Sequence, residues 1–285
     1  MTHQTQRSPE GAMTDPFHRA LSRRQLLAAA AAGVALAALP ASAGAEGGVY
    51  SFPYFPSVTS GSYSTETIQE ILDAVVTPHY LAATGATMTL ANAAALGFTG
   101  WELSMQQAAA AREQYQIDFL SSLGATPAAI AFTFPPGFFS ARPMVLATAE
   151  GATSILIAAQ MTAAREFAEL GQPTVAKWMY QMGTQAAEQR AIFRTLRAID
   201  GVAAAVPPNN KAFATDLFLY TRDVIGVIKA LGLIGGSAPA VSYPGRDAVL
   251  AAAGPMADAI LQKRPNDANS TAVITGPGSV NGERS

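Results

Sequence analysis

His79, Glu113 and Glu188 are the side chains of this 285-residue sequence whose types and spacing could do chemistry together. At 100° per residue, Ala109, Glu113, Gln116, Ile117 and Leu120 share one face of a helix around residues 112–123. Gln181, Thr184, Glu188, Ile192, Thr195 and Ile199 share one face of a second helix around 185–199, with Arg190, Arg194 and Arg197 on its opposite, solvent side. His79 sits on a third stripe with Leu72, Val75, Val76, Ala83 and Leu90. A carboxylate on a core-facing stripe is costly unless it is paired, hydrogen-bonded or bound to a metal. Two chemistries are therefore open. Carboxylates and an imidazole can hold a divalent metal such as iron. Alternatively, the neutral donors on the inner stripes, Gln116, Thr153, Gln160, Gln181, Thr184 and Thr195, can hydrogen-bond the two glutamates. Glu150, one turn before Thr153, is expected at the edge of its stripe in contact with solvent, with a displaced metal ligand as its other role.

The rest of the composition narrows the field. There is no cysteine, which excludes disulfides, thiolate metal sites and cysteine nucleophiles. With so few histidines, and no matching motif around a serine, a catalytic triad has no basis. A glycosidase-type carboxylate pair would need an open cleft, which a closed helical core does not offer. Ser22, Arg23, Arg24, Gln25, Leu26 and Leu27 form a twin-arginine pattern. A 14-residue apolar run from Leu26 to Leu39 and the A-x-A site Ala41, Ser42, Ala43 follow it. The run is shorter than the ~20 residues that span a bilayer. Residues 1–43 thus read as a signal peptide, with a periplasmic or extracellular destination and no transmembrane span after cleavage. Cleavage removes four arginines and two acidic residues. That leaves 14 basic against 18 acidic residues, a net charge of −4 and His79 as the single histidine. No strongly basic face remains, which argues against nucleic-acid binding.

These residues need long helices to position them. Residues 44–63 are an aromatic, Pro/Ser/Gly-rich extended lead. A first helix follows the start signal at Ser64, Thr65, Glu66 and Thr67, and contains Pro78 and His79. The second runs from about Trp101 to Leu123. The third spans about 144–170, with an inward stripe of Leu146, Ala149, Thr153, Leu156, Ile157, Gln160, Ala164 and Phe167. The fourth runs from the Gly171, Gln172, Pro173 turn to Ile199. Residues 125–143 join the two pairs and carry four phenylalanines, so this connection should be packed rather than loose. Shorter helices are expected over 216–233 and 246–262, and the tail over 264–285 reads as disordered. No segment gives a strong period-2 strand pattern. The fold class is all-α: a four-helix bundle over 64–214, a long crossover between helices 2 and 3, and a C-terminal helical extension over 215–263.

Glu113, Gln114, Tyr115, Gln116, Ile117, Asp118, Phe119 and Leu120 resemble an E-x-x-H-v-x-F-L pattern. It belongs to the ferritin-like domain proteins of the desiccation-related type, often exported in bacteria. Leu146 to Ala149 and Ala187 to Arg190 add shorter matches. The resemblance covers about 64–214 and implies a ferritin-like bundle whose ancestral centre held two irons. Such centres take a Glu from two helices and Glu-x-x-His from the other two. In this chain Glu113 and Glu188 match the two Glu-x-x-His glutamates, but Gln116 and Ala191 stand where the histidines belong. His79 stands at the first-helix glutamate and Thr153 at the third-helix one. The centre is therefore degenerate. Through the resemblance, the expectation is a non-catalytic envelope protein with a structural, stress-related or partner-binding role. It would work without a cofactor and through an unknown protein partner or self-association. The alternative is an iron-dependent oxidoreductase or iron-handling protein using Glu113, Glu188 and His79.

Overall fold

The structure is a computed structural model that describes residues 66–205 and 217–261. The expected signal peptide, lead and tail lie outside the described residues. Helix α1 (Ile68–Ala91) starts at a reciprocal cap: Thr67 accepts the Glu70 N–H at 3.2 Å, and Glu70 accepts the Thr67 N–H at 2.8 Å. It runs on through Pro78 and places His79 in its middle.

Helix α2 (Gly100–Ser122) returns antiparallel. Gln69 in the first turn of α1 donates to the Gly124 carbonyl just past the end of α2, at 2.8 Å. Helices α3 (Arg142–Glu169) and α4 (Pro173–Ile199) form a second hairpin. Arg142 joins its open end to the first hairpin, pairing with both Asp200 and Glu102 at 2.8 Å. α3 runs against α1 with Phe167, near its end, in one apolar cluster with Ile71 and Leu72 at the start of α1. α2 meets α4 through Gln116–Gln185 and an edge-to-face Phe119–Trp178 pair. The directions are thus up, down, down, up, with α2 and α3 parallel across the diagonal.

That topology forces residues 123–141 to travel the length of the bundle. α3 alone, at 28 residues, is about 42 Å long. The crossover is pinned as it goes. Asp73 Oδ1 accepts the Thr126 N–H at 2.6 Å, and the Thr77 hydroxyl accepts the Ala128 N–H at 2.9 Å. Strand β1 (Ala131–Thr133) then pairs antiparallel with β2 (Ala240–Ser242), Phe132 opposite Val241. Phe132 and Phe138 are buried, so the crossover is packed as expected.

The C-terminal part adds α5 (Asp223–Ala230), α6 (Arg246–Ala253) and α7 (Pro255–Leu261). Gly254, at φ +56°, breaks the last two apart. Val249 and Ala253 of α6 lie on the alanine face of α2 at Ala110 and Ala111, where small side chains let the helices come close. Apart from the strand pair, the described residues are helical or turn, and the chain is all-α. Among them α3 is the one helix long and apolar enough to cross a membrane, by length and composition; half of that stretch is buried in the bundle.

Candidate functional site

α1, α2 and α3 each send one polar side chain into the same point of the core. His79 Nδ1 lies 2.7 Å from Glu113 Oε2, and His79 Nε2 lies 3.2 Å from Gln160 Nε2. All three residues are buried. A carboxylate only accepts, so Nδ1 donates to Glu113, and Nε2 is left to accept the Gln160 amide N–H. The Gln160 Oε1 atom lies beside Gly183 of α4, within 3.5 Å of where a Cβ would stand, and has no hydrogen-bond partner among the described residues. Turning the amide would aim Oε1 at Nε2, which suits the imidazolium form. The amide thus has one orientation for each protonation state of the ring.

The fourth helix does not complete this cluster. Glu188 is 63% exposed at its side chain and pairs with Arg112 at 3.2 Å, so it is not on the inward face expected for it. The buried stripe of α4 is Val175, Met179, Met182, Ala186, Gln189, Phe193 and Leu196. That stripe is more apolar than the one drawn through Glu188, and burial follows it. The other expected donors are also spent elsewhere. Gln116 donates to Gln185 at 2.7 Å. The hydroxyls of Thr153, Thr184 and Thr195 all bond to backbone carbonyls of their own helices. Among the described residues no neutral side-chain donor bonds Glu188, and Glu113 is held by His79 instead.

These residues do not fit a two-iron centre. Of the ligand types only Glu113 and His79 share a site, and both His79 nitrogens already face protein partners. An amide oxygen suits Mg2+ or Ca2+ better than iron, and Ala191 offers no ligand. A separate cavity between α2 and α4, lined by Gln106, Arg112, Gln189 and Phe193 and by none of the three core residues, holds about 10 Å3. That is room for about one water and far too little for a haem.

Two further ionic clusters were not expected. Glu150 is buried, not at a solvent edge, and Arg194 Nε donates to its Oε1 at 2.8 Å while Arg197 takes its Oε2. Arg190, Arg194 and Arg197 therefore line the α3–α4 contact rather than solvent; Arg190 is 7% exposed. Burial by itself pushes the Glu150 carboxyl up, but the two guanidinium bonds outweigh it and hold it below its usual range. Burial, with Arg194 beside it, pulls Arg190 below the usual arginine range. At the other end of α3, Glu166 and Glu66 are both buried around the Thr221 amide. Glu66 stands in the start signal before the helix and on no stripe, so helical spacing does not mark it as buried. Glu166, however, follows Gln160 and Ala163 at helical spacing and could have been found.

No family model, curated protein or solved structure matches the chain. What the site can do is read from its geometry.

Proposed function

We propose that the chain is an exported ferritin-like protein in which a hydrogen-bonded His–Glu–Gln core stands in place of the ancestral metal centre. Its role is non-catalytic: structural, stress-related or partner-binding, in the cell envelope. The observation that carries this reading is the engagement of both His79 nitrogens, by Glu113 at 2.7 Å and Gln160 at 3.2 Å, with Glu188 turned out to Arg112. The up-down-down-up order with its single long crossover supports the ferritin-like part. Arg23, Arg24 and the Ala41–Ala43 site support export.

One feature favours a second reading, a reduced metal site for iron handling or oxidation. A ligating imidazole usually donates its other ring N–H to a carboxylate, as His79 does to Glu113. Nε2 would then be the ligand atom, once Gln160 moved aside. Metal analysis of protein purified from the envelope without added metal separates the two. The proposed function expects no stoichiometric iron, either as isolated or after incubation with ferrous iron and desalting. Stoichiometric iron would refute it and promote the second reading.

A further inference from the structure

Glu66 and Glu166 come from distant parts of the chain, one just before the cap of α1 and the other near the end of α3, and both are fully buried. Their Oε2 atoms converge on a single donor, the Thr221 N–H, at 2.8 and 3.1 Å. Two buried carboxyl oxygens aimed at one N–H bring their like charges together, and such a pair cannot easily both ionise, so one proton is held between them. The Thr221 hydroxyl adds a 2.5 Å bond to Glu166, and the Arg222 N–H a 3.1 Å bond to Glu66.

The surrounding charges do not replace that proton. From α3, Arg165 stands 3.7 Å from Glu166, with Glu169 3.8 Å beyond it. From the turn, Arg222 stands 3.7 Å from Glu66, over the Tyr220 ring, and Asp223 accepts the Tyr220 N–H. Before α1, Glu70 is spent on the Thr67 cap. Both arginines are outside hydrogen-bond reach and partly exposed, so solvent screens them.

We propose that Glu66 and Glu166 form a one-proton latch that fastens the 217–222 turn to the bundle, tightest at acidic pH and looser towards neutrality. The turn matters because Leu217 and Phe218, with Val224 and Ile228 of α5, close the apolar cluster over Ala74 and Ala158. Loosening the latch frees that cover.

Burial first, and the neighbouring Glu166 second, raise Glu66 from its usual 4.5 to about 7 against the Arg222 N–H and charge, which pull it down. A carboxyl raised in the closed state contributes stability that is complete below 4.5 and is lost as pH climbs through about 7. The test is amide hydrogen exchange at Thr221 and Arg222, corrected for the intrinsic pH dependence of exchange. In the wild type, protection should fall by up to about tenfold per pH unit between about pH 5 and about pH 7. In Glu66→Gln, whose amide can donate to Glu166 at every pH, protection should be flat across that range. A flat wild type, or the same slope in the variant, would overturn the latch. If the variant does not fold, carbon-13 titration of the wild-type glutamate carboxyls decides. A carboxyl titrating near 7 upholds the latch, and none above the ordinary range overturns it.

Discussion

Glu150 stays charged inside the α3–α4 contact because Arg194 and Arg197 each bond one of its oxygens. With Arg190 also buried nearby, the carboxylate is the counter-charge for three guanidinium groups. Removing one partner from such a cluster leaves the others uncompensated, which costs more than the pair itself contributes. Glu150→Gln keeps the shape and deletes the charge. It should lower stability by about 3 kcal/mol in denaturant unfolding at neutral pH. Because the Glu150 carboxyl is held low, its contribution is present above about 4.5 and fades on acidification, so the gap between wild type and variant should narrow there. An unchanged midpoint would show that the cluster is already solvated. Glu113 was legible at this scale because its neighbours at helical spacing, Ala109, Ile117 and Leu120, are all apolar and buried. Glu188 is no guide to the buried face, because six apolar residues, Val175, Met179, Met182, Ala186, Phe193 and Leu196, mark another stripe beside it.

At the scale of elements, the four long helices follow from their stop and start signals. The Gly171, Gln172, Pro173 turn sets the start of α4 at Pro173, and Asp200 with Gly201 ends it after Ile199. The rotation of α4 about its axis is set by the more apolar of its two stripes of similar spacing, not by the one that carries Glu188. The strands were invisible for a simpler reason: three residues cannot display a period of two, and each exists only through its partner. The crossover was recognisable as packed from its phenylalanines, three of which, Phe134, Phe138 and Phe139, meet at tilted and edge-to-face angles with ring centres within 5.6 Å. Helix interiors also hold a removable weakness. Gly151 sits early in α3, and a Cβ there would meet nothing within 4 Å. Gly151→Ala should raise stability by about 0.5–1 kcal/mol, seen as a higher denaturant midpoint with an unchanged slope. A lower midpoint would mean that α3 packs too tightly at Gly151 to admit a methyl group.

For the whole molecule, the crossover topology brings α1, α2 and α3 to one buried point, where His79 bonds both Glu113 and Gln160 and Gln160 Oε1 is the atom left over among the described residues. Polar groups bonded in a core fix its arrangement, whereas a vacant ligand set would leave carboxylates unpaired. The bundle should therefore gain nothing from metal. Any ligand that binds the folded state alone raises the melting temperature, by about 4 kcal/mol of stability at a thousandfold excess over its dissociation constant. Thermal melting of wild type and Glu113→Gln, each with ferrous iron or with a chelator, measures this directly. The Gln variant keeps an acceptor for His79 Nδ1, so both proteins should melt alike and neither should respond to iron or chelator. A wild type stabilised by iron and weakened by the chelator, with both responses lost in Glu113→Gln, would contradict the account.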